Sequence, residues 1–133
     1  MIVLKDIFVV SNCGDSRCIV FRHQTGNDKF WEAECLSRDH KPNLVGESER
    51  IIASNGRIDS FKDSHGNPVG PSRVWMLEED VPGLAMSRSL GDFLAESLGV
   101  IATPDIKYYK RDYERDRAVV LCSDGVHEFM TNE

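Results

Sequence analysis

Two carboxylates stand where a hard cation could be held. Asp124 follows Ala118-Val-Val-Leu-Cys122, a run that is apolar, β-branched at its centre and too short for a helix, so it reads as a buried strand. Ser123-Asp-Gly125 breaks that strand and leaves a carboxylate at its end, beside a glycine that lets backbone or ligand come close. Glu128 lies four residues further on; a helix starting here puts both acids in its first turn and on one face. An Asp-Gly turn before a capped helix is common and by itself needs no metal. A second acidic turn adds weight. Asp6-Ile-Phe-Val-Val-Ser11 reads as a strand, Asn12-Cys-Gly-Asp-Ser16 as a tight turn and Arg17-Cys-Ile-Val-Phe-Arg22 as a returning strand, which puts Asp15 at the tip of a hairpin. Sheet-end carboxylates far apart in sequence are what a Mg²⁺ or Mn²⁺ site needs.

The elements that position these turns follow from the rest of the chain. Gln24 to Asp28 is a polar loop, and Phe30 to Leu36 alternates as a third strand, so the start of the chain reads as an antiparallel meander. Gly46 to Asn55 reads as a short helix, with Glu47 and Glu49 near its positive end, Ile51 and Ile52 on its buried face and Asn55-Gly56 as its stop. Arg57 to Phe61 is a short strand, Asp63 to Pro68 a turn, and Glu78-Glu-Asp80 a solvated acidic loop. A second short helix runs from Phe93 to Leu98 and ends at Gly99; Pro104 keeps Thr103 extended; Tyr108 to Arg117 is a charged connector, half of it strand. Ser37 to Asp92 reads as long and irregular, the kind of region that often carries function. Strands first, a loop-rich insert, then a returning strand suit a mixed α+β domain with antiparallel sheet.

Composition removes several classes. A chain of 133 residues is one domain at most, and its 41% hydrophobic and 29% charged residues are those of a globular protein. With a net charge of −6 it is a poor partner for a phosphate backbone, so no nucleic acid is expected. No apolar run reaches the length of a membrane span, and Met1-Ile-Val-Leu4 is too short for a signal-peptide core. Cys13, Cys18, Cys35 and Cys122 form no C-x₂-C pair, so zinc is not expected; reduced, mostly buried thiols in a cytoplasmic or nuclear compartment are.

Five segments, in order, resemble the metal-dependent protein serine/threonine phosphatases (PPM type, also called type 2C). They are Asn12-Cys-Gly-Asp-Ser-Arg17; Leu36-Ser-Arg-Asp-His-Lys-Pro42; Glu49-Arg-Ile51 through Asn55-Gly-Arg57; Gly83-Leu-Ala-Met-Ser-Arg-Ser-Leu-Gly-Asp92 with Gly99-Val-Ile101 and Pro104-Asp105; and Leu121-Cys-Ser-Asp-Gly-Val126. Any one is weak; together they cover most of residues 6–130. The resemblance implies an α-β-β-α sandwich of two antiparallel sheets flanked by helices, with two or more Mg²⁺ or Mn²⁺ ions in a cleft at one end. It implies hydrolysis of phosphoserine and phosphothreonine in a phosphoprotein by metal-activated water, without a covalent phosphoenzyme; hard cations neutralise the phosphoryl oxygens and lower the pKa of a bound water.

Carried over by position, Asp124 matches the family's Asp-Gly acid on the core metal pair, and Asp15 the acid of a weaker, third metal position. Glu128 stands at that same third site, where the family usually has Asp, and His127 stands where it usually has Trp. No residue of this chain is assigned as catalytic. Arg17, Arg88 and Asp92 fall in segments that look structural. Asn43 to Glu79 resembles the family's mobile flap, and Trp75 within it is read as a packing residue. Nothing here matches the family's Asp-Gly-His-Gly-Gly motif, its upstream acidic ligand and phosphate-binding arginine, or its later Asp-Asn motif. Residues 1–133 therefore read as the middle and rear of the family domain, inactive alone, with uncovered sheet edges that favour a homodimer. The alternative is a degenerate, phosphatase-like regulatory or binding module. His127 and Glu128 lean toward it; Asp15, Asp124 and Ser87-Arg-Ser-Leu-Gly-Asp92 lean against it.

Overall fold

The computed structural model describes residues 1–24 and 26–132. In chain order the strands and helices are β1 (Ile2–Val3), β2 (Ile7–Asn12), β3 (Arg17–Gln24), β4 (Asn27–Cys35), α1 (Glu47–Ala53), β5 (Gly56–Lys62), β6 (Pro68–Met76), β7 (Pro82–Leu84), α2 (Phe93–Glu96), β8 (Asp105–Lys110), β9 (Asp116–Cys122) and α3 (Asp124–His127). The single domain that the length allows consists of two compact units. One is formed by residues 1–39 together with the chain from Pro104 onward, the other by residues 40–103. The mostly antiparallel sheets and few helices are the anticipated α+β class.

The first unit is a sandwich of two three-stranded antiparallel sheets, ordered β1-β2-β8 and β4-β3-β9. Side chains alternate across each strand, so Phe8 and Val10 of β2 and Cys18 and Val20 of β3 all point inward. They meet Leu36 and Tyr109 in one core, where the Tyr109 ring stacks on Phe8 at 6.1 Å between centroids.

Three expectations differ from the structure here. Residues 6–22 do not form a hairpin: β2 pairs with β1 and β8, while β3 pairs with β4 and β9. A strand has only two edges, and both edges of each are taken. Residues 13–16 are instead a crossover between the sheets, which lets Phe8 and Val10 face Cys18 and Val20 across the core rather than lie beside them. Second, Ala118 to Cys122 is not buried. β9 is an edge strand in which only Val119 packs on the core, while Val120 is 39% and Leu121 60% exposed. A run apolar on both faces matches cover on both faces, and among the described residues the outer side of β9 has little. The polar loop expected at residues 24–28 is mostly strand, since Gln24 already pairs with Asn27; Thr25 lies outside the described residues.

The second unit holds the region read as irregular. It contains a regular antiparallel sheet, β5-β6-β7, with α1 and α2. Strand β6 was hidden by Pro68, Gly70 and Pro71, which normally argue against a strand. They sit in its exposed first half, beside a register irregularity between Asp59 and Phe61, and the buried part begins only at Val74. The core joins Ile51, Val74, Ala95, Leu98 and Val100. Helix α1 forms where expected, but Ile51 alone of its pair is buried and Ile52 is 63% exposed. One helical residue is a rotation of about 100°, which carries Ile52 off the core face. At Gly56 a Cβ would come within 2.6 Å of the Ile51 Cγ2 and 2.9 Å of the Leu98 carbonyl oxygen, so close packing of α1, β5 and the segment after α2 admits no side chain there.

Candidate functional site

The acidic turns lie at sheet ends in the first unit. At the end of β9, Ser123 stays extended and α3 begins at Asp124, as the Asp-Gly pair suggested. The Asp124 Oδ1 accepts from the Gly125 amide at 2.8 Å, a bond that turns the chain tightly at this point. One turn on, the Glu128 amide donates to the Asp124 carbonyl at 2.9 Å, so the two acids do share a helical turn, and both are exposed. Asp15 is on the crossover between sheets and is only 8% exposed. The histidine read as an ordinary helix-start residue joins the two places. His127 is half-buried, and its Nε2 lies 2.9 Å from the Asp15 carbonyl oxygen. A carbonyl can only accept, so Nε2 carries the proton.

A framework of polar side chains fixes the crossover. The Arg17 guanidinium grips Asp39 with two parallel bonds, Nε to Oδ1 and Nη2 to Oδ2, each 3.0 Å, and its Nη1 donates to Asn132 at 3.2 Å. The Asn12 amide donates to the carbonyls of Gly14 at 3.0 Å and Arg38 at 2.9 Å, and the Cys18 amide donates to the Ser37 hydroxyl at 2.9 Å. The Asn-Cys-Gly-Asp-Ser-Arg and Leu-Ser-Arg-Asp segments are thus stitched together around Asp15. Asn12 and Asp39 carried no sequence signal for this, because their partners are set by the fold.

Carboxylate oxygens suit a hard cation in type, but not in number. Among the described residues no three His, Cys, Asp or Glu side chains come together to hold a metal ion. Asp15, Asp124 and Glu128 therefore do not form a complete centre by themselves; a Mg²⁺ or Mn²⁺ ion takes about six oxygen ligands.

The second unit carries a separate, buried ion cluster that sequence reasoning missed. Glu47, 6% exposed, accepts from Arg88 (Nη2 to Oε1, 2.5 Å; Nε to Oε1, 3.1 Å) and from Arg50 (Nη2 to Oε2, 2.6 Å). Burial alone would push this carboxyl up, but hydrogen bonds from Arg88, Arg50 and Ser87 outweigh it and hold the group well below the usual carboxylate range. Arg88 also donates to the Thr103 carbonyl at 2.9 Å, and Arg50 to those of Gly99 at 2.7 Å and Ser87 at 2.9 Å. Arg88 is thus the framework residue its segment suggested. The only signal for Glu47 was an arginine three residues later. The Asp92 backbone carbonyl accepts from the Glu96 amide at the start of α2, and the Asp92 side chain makes no cap bond. Trp75 is a packing residue: it is 6% exposed, donates to the Asp59 carbonyl at 3.0 Å and meets the Phe61 ring edge-on at 5.4 Å. A Cβ on Gly83 would come within 2.7 Å of that indole.

Residues 1–133 match the family model described as Protein phosphatase 2C. The chain is 37% identical over 128 residues to "Probable protein phosphatase 2C 73" of Oryza sativa subsp. japonica, covering 96% of this chain and 29% of that protein. It is 41% identical over 125 residues to "Probable protein phosphatase 2C 18" of Arabidopsis thaliana, covering 94% of this chain and 23% of that protein. Its fold is similar to that in the crystal structure of a serine-threonine phosphatase 2C from Toxoplasma gondii, with a TM-score of 0.81 at 21% identity over 97% of this chain and 41% of that one. A second similar structure, a phosphatase from a pathogenic strain of Toxoplasma gondii, gives a TM-score of 0.65 at 30% identity over 92% of this chain and 32% of that one. The chain spans 29% and 23% of the two curated relatives and so corresponds to a minor part of each.

Proposed function

The chain belongs to the protein phosphatase 2C family, and on that premise we propose that the protein is a metal-dependent phosphatase acting on phosphoserine and phosphothreonine in phosphoproteins. The observation that carries this reading is the family match along residues 1–133 in a chain whose acids stand on sheet-end turns. In this reading Asp124 serves the core metal pair, while Asp15 and Glu128 serve a weaker third position; the ions are Mg²⁺ or Mn²⁺, two or more per complete domain. A bound cation of this kind supplies an activated water and neutralises phosphoryl oxygens. What these residues contribute is position. Asp124 is held at the junction of β9 and α3, and Asp15 on a crossover pinned by Asn12 and the Arg17–Asp39 pair. Cys13, Cys18, Cys35 and Cys122 lie outside any disulfide, which supports a reducing compartment, cytoplasmic or nuclear; among the described residues no helix is long and apolar enough to cross a membrane. The exposed edge strand β9 supports self-association through sheet edges.

The test is hydrolysis of para-nitrophenyl phosphate and of a phosphothreonine peptide by the full-length protein with millimolar Mn²⁺, beside Asp124→Asn. Loss of a core charge ligand is expected to lower the rate on the order of a hundredfold or more. An unchanged rate in Asp124→Asn sinks the assignment of Asp124. A full-length protein that binds phosphopeptide and never turns it over favours the regulatory-module reading instead.

A further inference from the structure

Asp15 stands 112 residues before His127 in sequence, yet the His127 side chain reaches the backbone of Asp15. Helix α3 is four residues long and none of its residues is buried, so little apolar burial holds it to the sheet. So short a helix is not stable by itself in water. Beyond it, Asn132 touches Arg17 and Cys35, which tethers the end of the segment but not the turn that bears Asp124 and Glu128. On the other side of the junction, the crossover that carries Asp15 is tied by Asn12 to Arg38.

We propose that His127 is a positioning residue. Its Nε2–H holds the Asp15 carbonyl and thereby sets the crossover that carries Asp15 against the helix that carries Asp124 and Glu128. Its role in turnover rests on the reading given under Proposed function; its geometry does not. The ring presents its Nε2–H to that carbonyl, and the part that matters is the N–H, not the bulk. An exposed surface histidine would exchange tautomers and tolerate any replacement; this one has a fixed partner at 2.9 Å.

The test uses the full-length protein and two ring replacements. His127→Phe keeps a ring and removes the donor, whereas His127→Trp returns a ring N–H. Amide hydrogen exchange at residues 13–16 and 124–128 is expected to quicken five- to thirtyfold in His127→Phe, the loss of roughly one hydrogen bond, and to return toward the parent in His127→Trp. Exchange in the second unit is expected to stay the same in both. Equal exchange in His127→Phe and the parent overturns the proposal. So does equal acceleration in both variants, which would mean that shape and not the N–H matters. If His127→Phe does not fold, nitrogen NMR of the ring in the unaltered protein decides: a protonated Nε2 is expected, and an Nε2 without a proton overturns the proposal. These readouts need no turnover, so slow exchange in a full-length protein without phosphatase activity sinks the proposed function and leaves the latch standing.

Discussion

Glu47→Gln is the most informative single change outside the acidic turns. The carboxylate is 8% exposed as a side chain and lies between Arg88, 14% exposed, and Arg50, 26% exposed. Glutamine keeps the volume and one acceptor oxygen but removes the carboxylate charge that both guanidiniums pair with. Breaking a buried ion pair by removing one member costs about 3–5 kcal/mol, because the other is left uncompensated. Glutamine's remaining acceptor and the partial exposure of Arg50 set the expectation at the low end, about 3 kcal/mol. With a urea m-value of roughly 1–3 kcal/mol/M, the unfolding midpoint falls by about 1–3 M at unchanged slope. The double variant Glu47→Met with Arg88→Met is expected to lose at least about 1 kcal/mol less than the sum of its single changes, since the pair acts as a unit. The pH dependence has a definite sign. The folded carboxyl is held below its unfolded value of about 4.3, so below that pH the unfolded state binds more protons and stability falls. The contribution is whole above about pH 4.3 and is lost as pH drops from there toward the depressed folded value; Glu47→Gln removes that part of the acid sensitivity. A Glu47→Gln midpoint within about 0.2 M of the parent, or strictly additive single changes, would refute the reasoning.

Arg17→Lys keeps the charge but cannot form two parallel bonds to Asp39; it is expected to cost about 1 kcal/mol and lower the melting temperature by about 2–6 °C in calorimetry. Gly56→Ala forces a Cβ against the Ile51 side chain and the Leu98 backbone, and is expected to destabilise by about 1–3 kcal/mol in urea titration, whereas a neutral result would mean that α1 and β5 separate easily. Tyr109 is pushed up to about 12 by burial and by its hydrogen bond to Asp116, so a phenolate absorbance titration should show one of the protein's tyrosines ionising late. Its folded pKa is raised above an unfolded value of about 10, so its contribution to stability is whole below pH 10 and is lost as pH rises toward 12. Tyr109→Phe is expected to remove the late phase.

Elements with strong local signals were legible in advance. The acids and the Asn-Gly stop framed α1 at Glu47–Ala53, and the β-branched runs marked β3 and β9. Asp-Gly after an apolar run marked the β9–α3 junction, so Asp124 and Glu128 were found one turn apart without any tertiary information. The ordered family segments did the same for the class of protein, because each keeps turn and charge residues at short fixed spacings.

Tertiary structure decided what depends on distant partners. Periodicity marks a strand but not its neighbour, so Ile7–Asn12 and Arg17–Gln24 read as a hairpin although each had both edges taken by other strands. Strand β6 was concealed because its prolines and glycine speak only for the exposed half, while Val74 and Trp75 are buried by residues elsewhere in the unit. The Glu47 carboxylate found its arginine 41 residues away and the His127 ring its carbonyl 112 residues away. Sequence thus determined which local turns carry acids and which runs seek burial, since those follow from neighbouring backbone and side chains. Only the fold determined which acids are buried, which are paired and which stand exposed, because desolvation and hydrogen bonding are settled by groups brought together from far along the chain.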